Sequence, residues 1–337
     1  MIIPFFITHA GCPHQCVFCN QKNITGNNEP PDASSIHLTI SRYLEALRDD
    51  EVVQVAFYGG SFTALPLAAQ TAYLEAVRPF IRSGNIESIR LSTRPDSITA
   101  DILALLKQYG VATVELGAQS MDDGVLLLSG RGHSAADTVK AVALLREHHF
   151  AVGLQLMPGL PGDTPETFQR TLAQVIALKP DFVRIYPALV IKETPLAELY
   201  RSGRYTPLSL DDAVQLCHRA VAQFEAAGIE VIRVGLQPTA ELERPGTIIA
   251  GPWHPAFRQL VESSRFLEKL CALLHPGEEA RRVTIFANPA DLSTVIGQKR
   301  RNIAAIRDRY GLDVKVLADS RVPKGSLSRC NAAQNRL

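Results

Sequence analysis

Three cysteines fall within eight residues near the N-terminus, in the segment Cys12-Pro13-His14-Gln15-Cys16-Val17-Phe18-Cys19, followed by Asn20. Thiolates at this C-x3-C-x2-C spacing can ligate three irons of one cubane cluster. The fourth iron then has no protein ligand and is open to chelate a small molecule. Zinc is the first alternative, but a structural zinc ion normally takes four protein ligands. His14 is the nearest candidate for a fourth, and its place between the first two cysteines strains the three-residue spacer. The remaining cysteines, Cys217, Cys271 and Cys330, stand singly, and a disulfide within the triad leaves one thiol over. Phe18 either fills core space or, beside a cluster, excludes water.

Other chemistry-bearing segments follow apolar runs that read as strands. Phe57-Tyr58-Gly59-Gly60-Ser61-Phe62-Thr63 carries paired glycines, which let backbone approach a ligand closely or simply make a tight strand-to-helix turn. Ser92-Thr93-Arg94-Pro95-Asp96 comes next. Glu115-Leu116-Gly117-Ala118-Gln119-Ser120 and Gly130-Arg131-Gly132-His133 lie beyond it, then Gln155-Leu156-Met157-Pro158-Gly159-Leu160-Pro161-Gly162.

With the cysteine triad, these segments resemble the radical S-adenosylmethionine (radical SAM) enzymes. The Gly-Gly-Ser-Phe form is similar to the catalytic subunit of Elongator and its bacterial relatives. The later segments also resemble the anaerobic coproporphyrinogen dehydrogenases. The resemblance implies a 4Fe-4S cluster on Cys12, Cys16 and Cys19, and S-adenosylmethionine at its open iron. It implies that Gly59, Gly60 and Ser61 bond the methionyl amino group, that Gln119 reaches ribose hydroxyls, and that Arg131 holds the methionyl carboxylate by charge-assisted bonds. Ser92 and Gln155 stand where the dehydrogenases carry glutamate and aspartate, so they offer hydrogen bonds without the charge. Arg94 and Asp96 read as substrate contacts or as a solvated loop pair. Elongator's catalytic subunit continues into an acetyltransferase-like domain that nothing in this sequence matches, so acetyl-CoA chemistry is not carried over.

These residues need a scaffold, and the sequence supplies a repeating one. Strands are expected at Ile2–Ile7, Val53–Phe57, Ile89–Ser92, Val111–Leu116, Val152–Leu156 and Phe182–Tyr186, with amphipathic helices between them. Phe168, Leu172, Val175 and Ile176 share one helical face. Ser134 with Asp137 reads as a capping box, and Thr164-Pro165 as an N-cap with proline at the first helical position. Repeated strand–helix units imply α/β architecture with a parallel sheet and right-handed crossovers. Six units fall short of the eight of a full barrel, which predicts a partial (β/α)6 TIM-like barrel with its site at the C-terminal strand ends.

This barrel is expected over residues 1–235. A helix around Leu210–Ala227 and a strand at Ile229–Val234 close it, and an extension over 236–280 caps or flanks it. That extension holds the only tryptophan, in Gly251-Pro252-Trp253-His254-Pro255, read as a capping loop or a structural turn. His275-Pro276-Gly277 reads as a linker. Residues 281–318 then read strand, helix, turn, helix, strand, and residues 319–337 as a flexible tail.

The βααβ order, with Gly297-Gln298-Lys299-Arg300-Arg301 between the helices, resembles the core of a KH RNA-binding domain. Such domains clamp nucleic-acid backbone on a G-x-x-G loop. Here the second glycine is missing, and Gly297, Lys299, Arg300 and Arg301 are the candidate RNA contacts, the arginines pairing with phosphate. Residues 281–309 hold seven Lys/Arg and two Asp, a net of +5, in a chain whose total is +1. Such local concentration is the footprint of phosphate contact, or of a solvated helical face.

The small overall charge advertises no polyanionic partner for the chain as a whole. No apolar run approaches the roughly 18 residues of a membrane span, so no membrane partner is expected. Ile2–Ile7 is too short and lacks the basic flank of a signal sequence. Free thiols and an oxygen-sensitive cluster point to the reducing cytoplasm. The expected function is a radical SAM enzyme that forms a 5′-deoxyadenosyl radical to modify an RNA base, in tRNA, with an electron donor such as flavodoxin or ferredoxin. The alternatives are a small-molecule radical oxidoreductase of the coproporphyrinogen dehydrogenase type and a non-catalytic RNA-binding protein with a structural cluster.

Overall fold

A computed structural model describes residues 1–21, 24, 30–46, 51–274 and 282–329. They divide into two compact units. The first comprises Met1–Ala213 with Ala220–Trp253; the second comprises Val214–Arg219 with His254–Leu337.

The first unit is built on seven parallel strands in sequence order. They are β1 (Ile2–Phe6), β2 (Gln54–Tyr58), β3 (Ser88–Thr93), β4 (Val111–Gln119), β5 (Ala151–Leu156), β6 (Phe182–Ile185) and β8 (Glu230–Val234). The sheet curls into a partial barrel with helices on its outer face. Residues pointing at the helices are fully buried and apolar, as in Val152, Leu154 and Leu156 of β5, because a parallel sheet is covered rather than solvated. Both expected helix starts are present. Ser134 and Asp137 make reciprocal capping bonds, and Thr164 caps the helix Pro165–Leu178 with proline in its first turn.

The strand expected at Ile229–Val234 joins the six of the strand–helix units as a seventh, β8, which pairs with β6 through Val183 with Val231, Arg184 with Arg233 and Ile185 with Val234. Ile232 is the extra residue of a bulge in β8. It breaks the two-residue alternation from which strands are recognised.

The expected boundary at residue 235 also moves. Val190–Ile191 (β7) and Ile248–Ala250 (β9) form a two-stranded antiparallel ribbon that keeps residues up to Trp253 in the first unit. Strands of two and three residues carry no periodic signal. Trp253 packs with Leu189, Ile191 and Leu242.

The second unit contains the expected βααβ order. Strand β10 (Arg282–Ala287) leads into a short helix at Leu292–Ile296, then the helix Arg301–Tyr310 and strand β11 (Asp313–Ala318), which lies parallel to β10. Ile285, Val295, Ile303, Ile306 and Val314 form its core with Phe266 and Leu270 of the helix Phe257–Leu273.

The segment after residue 318, expected to be flexible, is structured as far as Arg329. Leu327–Arg329 (β12) pairs antiparallel with β10. The turn before it is held by Asn288 Nδ2 donating to the Val322 carbonyl at 2.9 Å and the Gly325 N–H donating to Asp291 Oδ2 at 2.6 Å. Backbone pairing needs no apolar pattern, so the polar composition hid it. The rest of the tail, 330–337, and the expected linker His275-Pro276-Gly277 lie outside the described residues. Among the described residues no helix is long and apolar enough to cross a membrane.

Candidate active site

The cysteine loop follows β1 and is seated by two glycines. The His9 N–H donates to the Gly59 carbonyl at 3.0 Å and the Ser61 N–H donates to the Ala10 carbonyl at 2.9 Å. A Cβ on Gly60 would lie 2.6 Å from the carbonyl oxygens of both Ala10 and Ile7, and one on Gly11 would lie 2.2 Å from that of Ser61. Both glycines are therefore required by close backbone approach. The Gly59-Gly60-Ser61 segment supports the cysteine loop as well as facing the cavity.

Cys12, Cys16 and Cys19 line one cavity of about 580 Å³, together with Gly59, Gly60, Ser61, Ser92, Gln119, Arg131 and Gln155. All seven nucleotide candidates read from the sequence thus converge with the thiols. Cys12 is the exposed member of the triad and Cys16 the buried one. Burial, then the neighbouring Cys16 and Cys12 thiols, push Cys19 up to about 12. Burial and then Cys16 likewise raise Cys12. The three thiols share this cavity wall, though among the described residues no three His, Cys, Asp or Glu side chains are gathered closely enough to hold a metal ion as they stand. The ring of His14 lies against Gly132, where a Cβ would come within 2.3 Å of it.

The candidates differ in how free their side chains are. Ser61 is buried and its Oγ is already engaged, 3.1 Å from Thr93 Oγ1 and accepting the Arg94 N–H at 3.2 Å. Its N–H donates to the Ala10 carbonyl and its carbonyl accepts the Ala64 N–H at 3.1 Å, so a second lone pair on that carbonyl is what it keeps for a ligand. Ser92 Oγ makes only a long bond, 3.5 Å, to the Phe57 carbonyl. Gln119 ends β4 in the left-handed region at φ 66°, and its Oε1 accepts from Gln155 Nε2 at 3.1 Å. The two amides therefore form one paired edge on the cavity wall.

Arg131 is buried, donating from Nη1 to Cys16 Sγ at 3.1 Å and from Nη2 to the Gly117 carbonyl at 2.5 Å. Its Nε is buried with no hydrogen-bond partner. Arg94 and Asp96 form a bidentate pair, Nε to Oδ1 at 3.0 Å and Nη2 to Oδ2 at 2.9 Å, so this loop arginine arrives neutralised.

Sequence reading did not single out a second polar group at the cavity wall. Glu115 of β4 accepts from Tyr58 Oη at 2.9 Å and from Arg184 Nη2 at 3.0 Å, with Arg184 Nε 2.6 Å from its other oxygen. Arg90 lies 3.5 Å from the same carboxylate and over the Phe182 ring. Burial, then Glu115, push the Tyr58 hydroxyl up to about 12. Barrel interiors are normally filled by branched apolar side chains. Charges at inward positions of the strands Val111–Leu116 and Phe182–Tyr186 were the available signal.

The candidate RNA contacts belong to the second unit. Gly297, at φ 77° and ψ 158°, occupies a region open to glycine alone. It packs on Asn302, whose Nδ2 donates to the carbonyls of Ser263 and Val295 at 2.8 and 3.0 Å. Lys299 and Arg300 follow with φ of 51° and 61°, and Lys299, Arg300 and Arg301 are exposed. The loop that the missing second glycine called into question is formed by two left-handed non-glycine residues instead.

Comparison with known proteins agrees with this arrangement. The model of the Radical SAM superfamily matches residues 6–175, and that of the Radical_SAM C-terminal domain matches residues 180–266. The tRNA uridine(34) acetyltransferase of Methanocaldococcus infernus is 25% identical over 256 residues, 64% of this chain and 48% of that protein. The oxygen-independent coproporphyrinogen-III oxidase-like protein HemZ of Bacillus subtilis is 24% identical over 310 residues, 86% of this chain and 60% of that protein. The chain thus spans about half to three-fifths of the length of these curated relatives. The structure of archaeal Elp3 from M. infernus with an N-terminal deletion matches with a TM-score of 0.61 at 23% identity, covering 80% of this chain and 63% of that one; it shares the fold. The residues present fit the cofactors of the family, with three thiols at one cavity and a buried arginine beside them that keeps an unused donor. The chain belongs to the radical SAM superfamily, and is an enzyme whose cofactors are a 4Fe-4S cluster and S-adenosylmethionine.

Proposed function

We propose that this enzyme modifies a base of RNA, in tRNA, by radical chemistry. The observation that carries the reading is the exposed basic loop Lys299-Arg300-Arg301 in a βααβ unit, in a chain that also holds the cysteine-lined cavity. When bound, cluster and S-adenosylmethionine supply a 5′-deoxyadenosyl radical that takes a hydrogen atom from substrate. The protein's part is to bind, orient and exclude water. Arg131, buried beside Cys16, holds the methionyl carboxylate. The paired amides of Gln119 and Gln155 take ribose hydroxyls, with Ser92 beside them. The backbone of Gly59-Gly60-Ser61 receives the amino group. A base modified inside a duplex must leave its stack, and the cavity is the receptacle for it. An external one-electron donor such as flavodoxin or ferredoxin, in the cytoplasm, completes the cycle.

Several relatives bear tRNA-modifying names, which supports tRNA as the substrate. The basic loop takes RNA backbone phosphate, in the manner of KH-type units. Mass spectrometry of total tRNA nucleosides from cells with and without the protein tests the reading. One nucleoside that changes mass or disappears supports it; identical profiles overturn it. The likeness to HemZ along 86% of the chain favours a second reading, a small-molecule oxidoreductase, in which RNA neither binds nor changes.

A further inference from the structure

The cavity carries more positive charge than its nucleotide contacts use. Among the described residues that line it are four arginines, Arg94, Arg131, Arg184 and Arg233, and one acidic residue, Glu115. Arg94 is neutralised by Asp96, and Arg131 stands with the thiols. Glu115 is shared between Arg184 and Arg90. The partner of Arg233 in the structure is neutral, Gln237 Oε1 at 3.1 Å.

Arg184 and Arg233 are also neighbours by construction. They are register partners on β6 and β8, strands that lie about 4.8 Å apart. Like charges placed side by side on a sheet repel. The bulge at Ile232 creates this juxtaposition, because without it Ile232 would pair with Arg184. Bulges commonly re-aim a side chain next to active sites. On its other side Arg184 is in register with Gln155, so the row Gln155–Arg184–Arg233 runs from the nucleotide amides along one wall. Tyr186 completes the wall. Its hydroxyl accepts from Arg184 Nη1 at 3.3 Å, which leaves its own hydrogen to donate.

We propose that Arg233, Arg184 and the Tyr186 hydroxyl form a substrate subsite for an anionic oxygen group, a carboxylate or a phosphate. Arg233 is the binding residue; Arg184, engaged by Glu115 and both tyrosines, fixes the geometry and the field. An anion at Arg233, whose partner in the structure is neutral, receives charge-assisted bonds. Its place beside Gln155 brings the substrate next to the nucleotide. The inference rests on the cavity being the site of radical chemistry, and holds whether the substrate is RNA or a small acid.

The test uses reconstituted holoenzyme with S-adenosylmethionine bound, titrated calorimetrically with inorganic phosphate and separately with acetate. Wild type should bind at least one probe saturably. Arg233→Gln should weaken that binding by at least about tenfold, and Arg233→Lys should recover part of it. S-Adenosylmethionine affinity and RNA retention on filters should stay at wild-type values in both variants. Preference for phosphate identifies a nucleotide phosphate as the source, and preference for acetate a carboxylate substrate. The subsite is overturned if neither probe saturates, if Arg233→Gln binds as wild type does, or if Arg233→Gln loses S-adenosylmethionine in parallel. Anion binding without RNA retention leaves the subsite standing and removes the RNA reading. RNA retention without anion binding does the reverse.

Discussion

Arg131 and Cys16 stand 115 positions apart in the sequence, and the guanidinium Nη1 of one lies 3.1 Å from the sulfur of the other. The contact joins the loop after β1 to the segment after β4, and places a buried cation beside the thiols and the cofactor cavity. A charge so enclosed acts strongly on its neighbours, because little water screens it. Arg131→Met should therefore retain an assembled cluster on the three cysteines and bind S-adenosylmethionine more weakly, by on the order of 2–5 kcal/mol. Calorimetry on the reconstituted variant checks it. Equal affinity would leave Arg131 as a brace of the cysteine loop.

Anaerobic reconstitution should yield about four irons per chain, and Cys16→Ala should lose them, since two thiolates remain to anchor the cluster. Iron analysis and the visible absorption of the variant decide this. Unchanged iron content would remove Cys16 from the ligand set.

Gly60→Ala tests the seat of the loop. The added methyl would meet two backbone oxygens at 2.6 Å, which cannot yield as a flexible side chain does. A destabilisation of about 1–3 kcal/mol is expected, together with lower iron retention, because the displaced backbone carries Cys12. Denaturant unfolding and iron assay on the same preparation measure both. Normal values of both would show that the loop tolerates a shifted register against Gly60.

Much of this was legible in the sequence, for identifiable reasons. The second helix of the βααβ order stands where it is expected, at Arg301–Tyr310, because Ile303 and Ile306 mark one face and Gly311 stops it. The cysteine triad needed no fold to be recognised, since its spacing is local. What escaped reading was non-local or unpatterned. The bulge at Ile232 sets a register with β6 that no local pattern gives, and β7 and β9 are too short to show a period. Ser61 looked free to meet a ligand until Thr93 and Arg94, from the next strand's end, took its hydroxyl. Glu115 and Arg184 lie 69 positions apart, so neither strand alone reveals that its charge has a partner.

His133 gives the protein a defined acid sensitivity. Burial first, then the cations Arg131 and Arg94, lower it to about 4, against an ordinary value near 6.5. Between those values the unfolded chain binds a proton that the folded chain does not, so stability rises with pH across this window. The contribution is intact above about pH 6.5 and is lost progressively as pH falls toward 4, by on the order of 3 kcal/mol at most. Urea unfolding of wild type and His133→Gln from pH 7.5 to 4.5 isolates it. The variant should show the shallower decline, and parallel curves would mean that His133 gains a proton in the folded state as readily as in the unfolded one.

The basic loop of the second unit provides the test that bears most directly on substrate. Lys299 and Arg300 adopt left-handed backbone and stand exposed beside Arg301. Strain of this kind persists where surrounding structure enforces it, and here the Asn302 clasp behind Gly297 does so. If all three side chains meet phosphate, each releases counterions on binding. The logarithm of affinity then falls with the logarithm of salt in proportion to the contacts made. Changing all three to alanine should weaken RNA binding and flatten that slope by up to about two or three units. Formation of 5′-deoxyadenosine without substrate should persist, because these residues lie outside the unit that holds the cysteines and the cavity. Filter binding of tRNA across a salt series reads the slope for both proteins. Superimposed lines at every salt concentration would take this loop out of the RNA interface, and the small-molecule reading would then account better for a chain that resembles HemZ over most of its length.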